Sequence, residues 1–418
     1  MIDPAFPHQA ASSTTSAEMS EEFVRETHKI EIGRPGRALY FYDAHAGFEL
    51  QSELDYLSNR VVEANVFFAG QFLAPALPRL EERRVRLAIL RDVEGRKRAR
   101  FLMPFSVERP GLGIGSPIIR VWANHFAPLG TPLIDAEGAA ESIDNVLEAL
   151  GNPGAALPQV LVIPDLKLNR PAAQLIRAIA MSRNLPLATT DERERPMLES
   201  LLDGEAYLSE TISSKHNHEM RRQWRKLSER GNVSYNVARQ PRDVTRRMEE
   251  FLLLEARGWK GKEKTALTMD RLRSAFAREA VYNLAQADKV RIHTIDLNDQ
   301  AIASLIVFLS GGEAYTWKTA YNETYADCSP GKILMSKVTE WHLDDANIVR
   351  TDSLAVPDHP VMSRLWRERE KMATLIVGLQ PNRDRDVRQI ASQLHLYQNT
   401  RNVARKLRDR IMSLRGRG

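Results

Sequence analysis

Residues 290–334 read VRIHTIDLNDQAIASLIVFLSGGEAYTWKTAYNETYADCSPGKIL. Three runs rich in β-branched and aromatic residues, 290–297, 301–309 and 314–320, are joined by Asn298-Asp299-Gln300 and by Ser310-Gly311-Gly312-Glu313. Both joins are short and made of residues that tolerate tight turns, so the stretch predicts an antiparallel three-strand meander. Ser329-Pro330-Gly331-Lys332 then opens a helix to about 343, since proline suits a first turn whose N–H has no partner anyway.

Working outward toward the carboxy end, the pattern predicts a strand at 348–354, a helix at 359–369 and a strand at 372–379. In the other direction, Ser213 and Ser214 can cap a helix that runs to Arg230 and stops at Gly231, and 233–237 alternates as a strand does. Helices at 243–257 and 270–287 lie between that strand and the meander, the second with Leu272, Phe276 and Leu284 on one face.

The first half is mixed in the same way. It reads as a strand at 38–42, a helix at 48–60, a polar hinge, and a hairpin of 85–91 with 98–106 around Asp92-Val93-Glu94-Gly95. A strand at 118–122, a helix at 139–150, a buried strand at 160–163, a helix at 172–183 and a strand-like stretch at 186–193 follow. The run Gly111-Leu112-Gly113-Ile114-Gly115 lacks the spacing of a phosphate loop and leads into a strand, so it reads as a bulge or turn.

A chain of 418 residues with 43% hydrophobic and 27% charged residues has a globular balance and room for two domains. Its single cysteine, Cys328, excludes an internal disulfide framework and a cysteine-cluster metal site, which fits a reducing cytoplasm. No window holds 18 uninterrupted apolar residues, and the first 20 residues lack the basic start and apolar run of a secretory signal. The net charge of +5 is a tail property: ten Arg and Lys against three Asp from 380 onward give +7, leaving −2 for the rest. The tail helix, about 386–414, spaces Val387, Ile390, Leu394, Tyr397, Leu407, Ile411 and Leu414 for docking across the lobes or onto a second subunit; RNA or membrane contact through its Arg face is the other reading.

The order helix, helix, meander, helix, strand, helix, strand, together with 213–231 (SSKHNHEMRRQWRKLSERG), 255–260 (EARGWK), 318–334 (KTAYNETYADCSPGKIL) and the run from Asp352 through His359 and Pro360 to Glu368, resembles the GNAT acyltransferase superfamily. Within it the chain looks like the BioF2-like or CelD-like acetyltransferases of cellulose and exopolysaccharide clusters, relatives of the FemABX transferases. The resemblance covers roughly 35–380. It implies an α/β (α+β) fold of two tandem GNAT-like lobes, each a mixed, mainly antiparallel sheet flanked by helices, plus a carboxy-terminal amphipathic helix. The expected division is a poorly ordered leader at 1–31, a degenerate lobe at 32–204, an acyltransferase lobe at 205–380 and a basic helix at 381–418.

Residue chemistry adds the candidate site. The helix start Ser329, Pro330, Gly331 and Lys332 offers free N–H groups, a partial positive charge and a cation to a donor phosphate, although an ordinary helix start has the same composition. The wider superfamily places an Arg/Gln-x-x-Gly-x-Gly/Ala loop here, and this chain has one glycine and no leading Arg. The resemblance implies that acetyl-CoA or another acyl-CoA lays its pantetheine arm along 314–320, and that an amine or hydroxyl attacks the thioester directly. Lys318 and Tyr321, at the exit of that strand, and Asp352, where the sheet halves splay, are then the catalytic candidates, with a salt bridge to Arg350 or a loop cap as the other reading of Asp352. Glu255, Trp259 and Lys260 are expected on the acceptor side.

The basic helix carrying Arg222 is expected to hold donor phosphates, an acidic acceptor or a tRNA acceptor stem, or to be a solvated face. His216 and His218 point to different helix faces and make a poor metal pair, and no metal is expected. His359 reads as a cap, and Cys328 has no nucleophile arrangement around it. The function implied is acyl transfer to a small polar acceptor, such as an amino sugar or polysaccharide precursor. The alternatives are aminoacyl-tRNA-dependent transfer and a non-catalytic protein of an exopolysaccharide system.

Overall fold

The computed structural model describes residues 28–32, 36–81, 83–110 and 115–415, and of 401–415 the backbone alone. The strands are β1 (His28–Glu31), β2 (Arg37–Asp43), β3 (Val85–Asp92), β4 (Ala99–Glu108), β5 (Ile118–Val121), β6 (Leu133–Ile134) and β7 (Val160–Lys167). They continue with β8 (Leu187–Leu198), β9 (Val233–Ala238), β10 (Val290–Leu297), β11 (Gln300–Ser310), β12 (Glu313–Tyr321), β13 (Arg350–Asp352) and β14 (Glu368–Gly378). All belong to one sheet in the order β1-β2-β3-β4-β5-β7-β14-β8-β13-β12-β11-β10-β9, with β6 beside β4. Pairing is antiparallel except between β5 and β7 and between β12 and β13.

The two lobes are wired alike: a meander, a parallel join, then a long last strand. Those last strands have changed places. β14 lies between β7 and β8, and β8 lies between β13 and β14, with a ladder from Glu368↔Met197 to Val377↔Leu187 between them. Each lobe's hydrogen bonding is therefore completed by the other, and the boundary expected at 204/205 separates the lobes in chain order but not in the sheet.

Helices cover both faces. On one, Pro241–Arg257 and Arg271–Gln286 join Gly70–Leu80 in a core where Phe72 meets Phe276, Phe308 and Trp317 edge-on at 5.2–6.3 Å. On the other, Pro330–Asp344 packs Ile333, Leu334 and Val338 against Leu305 and Val307. The tail helix Asp384–Arg415 docks Val387, Ile390 and Leu394 onto Ile118, Val160, Val162 and Ile376, and so spans strands of both lobes.

Several expectations are corrected. The last residues of the expected leader form β1, paired with β2 from His28↔Phe41 to Glu31↔Ala38; residues 1–27 and the glycines at 111 and 113 lie outside the described residues. The polar hinge contains the helix Gly70–Leu80. The helix expected at 359–369 is a single turn, Met362–Leu365, because residues from Glu368 onward are drawn into the β8 ladder. The helix expected at 48–60 is two, Ala46–Glu49 and Gln51–Ser58.

Candidate active site

The strands β12 and β13 pair only at Glu313↔Arg350, Ala314↔Thr351 and Tyr315↔Asp352. Beyond that they diverge, and the Thr316 hydroxyl donates to the Ser353 carbonyl at 2.7 Å across the apex. A bulge opposite Ile306 and Val307 sets Trp317 out of register, which lets it pack into the core while Thr319, Ala320 and Tyr321 continue along the opening. The result is a cleft of about 690 Å³, walled by β12 on one side and by Ser353, Leu354 and Val356 on the other. Volume of this order suits a small-molecule site.

The floor is the start of the helix Pro330–Asp344. Ser329 takes φ 50°, ψ 50° and makes no side-chain cap; its carbonyl accepts from the N–H groups of Lys332 and Ile333. Pro330 has no N–H, and the Gly331 N–H finds no acceptor among the described residues, so one donor faces the cleft at the positive end of the helix. Lys332 is exposed and forms no ion pair within 4 Å. A Cβ added at Gly331 would meet only the Tyr321 ring, at an ordinary 3.5 Å. All four residues expected at the phosphate end line the cleft.

The expected acceptor residues Glu255, Trp259 and Lys260 also line it. Lys260 Nζ donates to Glu255 Oε1 at 3.0 Å and to the Thr319 carbonyl at 2.8 Å, which ties the helix end to β12. Glu255 Oε2 accepts from the Leu267 N–H at 2.9 Å, so both carboxylate oxygens are engaged. Trp259 is 47% exposed at the mouth and Tyr321 is 37% exposed beside the helix start.

Three expected site residues fall elsewhere. Asp352 is fully buried behind the apex and does not line the cleft. Its oxygens lie 3.2 Å from Arg195 Nη1 and 3.4 Å from Lys167 Nζ, and Oδ1 accepts from the Leu354 N–H at 2.8 Å. Burial alone would raise this carboxyl, but Arg195 and Lys167 hold it below the usual carboxylate range. It is held ionised behind the apex, where it ties the β13 end to Arg195 and Lys167. Lys318 sits off the cleft, with Nζ 4.5 Å from the centre of the Phe126 ring. Arg222 is exposed on the helix Ser214–Ser228 and bonds to Glu219 at 2.7 Å and 2.9 Å.

Sequence reading missed part of the site. His359 lines the cleft, and its Nδ1 accepts from the N–H groups of Val361 and Met362 at 3.3 Å and 3.2 Å, so its cap role is shown and Nε2 is the protonated, donating nitrogen. Burial pushes its pKa down, consistent with a neutral ring. A second cavity of about 430 Å³ adjoins the first through Lys332, Pro360 and Val361, and adds His216, Met220 and Arg364. The signals for these were a His-Pro pair and a helix start, neither specific. Cys328 is buried, and burial raises its thiol. Among the described residues no group of three or more His, Cys, Asp or Glu is placed to hold a metal, and no helix is long and apolar enough to cross a membrane.

Comparison with known proteins agrees with the geometry. Residues 214–353 match the family described as acetyltransferase (GNAT) domain, a span that contains the meander, the helix start and the splay. No curated protein sequence matches the chain. Among solved structures, the C-terminal domain of a protein described as a lysylphosphatidylglycerol synthetase from Agrobacterium fabrum overlays with TM-score 0.51 at 10% identity, covering 85% of this chain and 96% of that one. A conserved protein of unknown function from Bacteroides thetaiotaomicron overlays with TM-score 0.50 at 8% identity, covering 80% of this chain and 98% of that one. At such identities the likeness is one of fold.

Proposed function

We propose that this chain, whose residues 214–353 match an acetyltransferase (GNAT) domain, moves an acetyl or other acyl group from a CoA thioester to an amine or hydroxyl of a small polar acceptor. The observation that carries this reading is the cleft between the diverging strands with the open helix start at its floor. In this reading the donor's phosphates meet the Gly331 N–H and Lys332, and its nucleotide end extends into the adjoining cavity beside Arg364. The pantetheine arm runs along 316–321, where β12 has no strand on its β13 side. In this reading the acceptor attacks the thioester carbonyl itself, forming the new C–N or C–O bond as the C–S bond breaks.

Among the described residues, the titratable groups lining the cleft are Glu255, Lys260, Tyr321, Lys332 and His359. We assign the proton taken from the acceptor to Glu255, the one carboxylate there, and the proton given to the leaving thiolate to Tyr321. A saccharide acceptor suits Trp259 at the mouth, whose ring offers a stacking face. The test is single-turnover acyl transfer from acetyl-CoA to a panel of amino sugars. Glu255→Gln should lower the chemical step by about 10²- to 10⁴-fold and leave CoA binding unchanged.

Aminoacyl-tRNA is the competing donor. Among the described residues, Lys215, Arg221 and Arg225 on the helix Ser214–Ser228 form no ion pair, unlike Lys226 and Arg230, which both bind Asp327 at 2.6 Å. Tight tRNA binding that falls steeply with salt and with neutralisation of Arg221 and Arg225 would favour that donor over CoA.

A further inference from the structure

Behind β12, on the side away from the helix start, the loop at 123–128 of the first lobe reaches the second. Trp317 Nε1 donates to the Phe126 carbonyl at 2.8 Å, and the Phe126 ring packs 6.0 Å from that of Phe276. Cationic and imidazole groups collect around this one ring. Lys318 Nζ stands 4.5 Å from its centre and 5.8 Å from the Trp317 ring; Arg273 Cζ stands 5.9 Å away; the His125 ring is 3.9 Å away.

The anions within reach are already committed. Asp270 is 3.9 Å from Arg273 Nε and spends Oδ1 capping the helix Arg271–Gln286 through the N–H groups of Leu272 and Arg273. Glu255 is bound to Lys260 and the Leu267 N–H. Among the described residues the Lys318 ammonium has no hydrogen bond or ion pair, and neither ring nitrogen of His125 has a partner. Two cations near one ring repel each other, and the long Asp270 contact to Arg273, the more distant Glu255 and the aromatic faces offset only part of that cost. Burial, then Lys260 and Arg273, push Lys318 down to about 8, and burial, Lys318 and Arg273 push His125 down to about 4.

We propose that Lys318, Arg273 and His125, gathered around Phe126 from both lobes, form a subsite for an oxyanion group, a phosphate or a carboxylate, carried by the acceptor. Its position deepens the reading of the cleft as the transfer site and rests on it. Lys318 lies between Trp317 and Thr319, both on the cleft wall, so an acceptor held by its anion behind the strand presents its nucleophile through the splay to the thioester. Arg273 supplies a planar fork for two oxygens, Lys318 a point charge, and the neutral His125 one N–H donor. The first lobe then has a role in recognition, since its loop carries one ligand and the ring that positions the other two.

The test is calorimetric titration of the CoA-saturated protein with inorganic phosphate and, separately, with acetate, in a buffer without either. Saturation with CoA fills the donor's phosphate positions, so added phosphate reports on a second site. Saturable binding of one anion, weakened roughly tenfold by Lys318→Met and by Arg273→Gln, restored in part by Lys318→Arg and unmoved by Lys332→Gln, supports the subsite, and the anion that binds names its class. If CoA does not bind, the same titrations on the free protein still separate the cases: loss in the Lys318→Met variant alone keeps the subsite and sinks the donor reading. No uptake of either anion at tens of millimolar, or uptake indifferent to Lys318→Met, overturns the proposal.

Discussion

Two groups of charged side chains lie near β12 at the junction of the lobes, and they are built on opposite rules. Behind the apex, Lys167 and Arg195 from the first lobe meet Glu313 and Asp352 from the second, all at most 5% exposed, with cations and carboxylates matched. Around Phe126, Arg273 has only a long 3.9 Å contact with Asp270, and Lys318 forms no ion pair within 4 Å among the described residues. Buried charge that is compensated holds a fold together, since removing one partner strands the other. Charge left uncompensated beside a cleft is poised for a ligand.

The largest effect expected from breaking this contrast is in the compensated group. Asp352→Ala leaves Lys167 and Arg195 short of a carboxylate and should cost about 3–5 kcal/mol in denaturant unfolding, a loss that extends to activity because the splay loses its anchor. Next is a pH effect. Glu63 is buried beside Lys167 with Oε1 unpartnered; burial outweighs Lys167 and raises its pKa to about 7. An acid raised in the folded state adds stability below its unfolded value, near 4.5, and that stability fades as pH climbs through about 7. The change is on the order of 3 kcal/mol, and Glu63→Gln should flatten the curve of unfolding free energy against pH over that window.

A smaller loss, about 1–1.5 kcal/mol, is expected for Tyr315→Phe, since the Tyr315 hydroxyl lies 2.9 Å from Glu313 Oε2 and 3.0 Å from the Ala64 carbonyl and so ties the cluster to the first lobe. Smallest is Lys318→Met in the ligand-free protein. Removing a cation that forms no ion pair within 4 Å among the described residues, and on which Lys260 and Arg273 act against the distant Glu255, should shift unfolding by at most about 0.5 kcal/mol, and a loss as large as that of Asp352→Ala would place Lys318 among the structural charges instead.

How legible this was in the sequence follows from where each contact comes from. The meander and the helix start at Ser329 were readable because turn residues and a Pro-Gly pair act locally, and β10, β11, β12 and Pro330–Asp344 match to within a residue or two. The helix Gly70–Leu80 was not, because Pro75 and Pro78 argue against helix while burial of Phe72, Leu73 and Leu77 overrides them. The exchange of β8 and β14 leaves no local mark, since both read simply as strands. The same lack of a local mark hid the partners of Asp352. A lone Asp near a splay is a sensible base until Lys167 and Arg195, 185 and 157 positions away in the chain, are seen to hold it. Lys318 was expected at the reacting centre from its place at the strand exit, but its surroundings come from the loop at 123–128 of the other lobe.

The central claim is that the splay with its open helix start binds a CoA thioester. Calorimetry of acetyl-CoA with the unaltered chain and with Gly331→Trp tests it most directly, because the space at Gly331 is bounded only by the movable Tyr321 ring. The account predicts saturable binding that Gly331→Trp abolishes while the melting temperature of the ligand-free protein stays nearly unchanged. Equal binding by both proteins, or no binding of any CoA thioester by the unaltered chain, would contradict it.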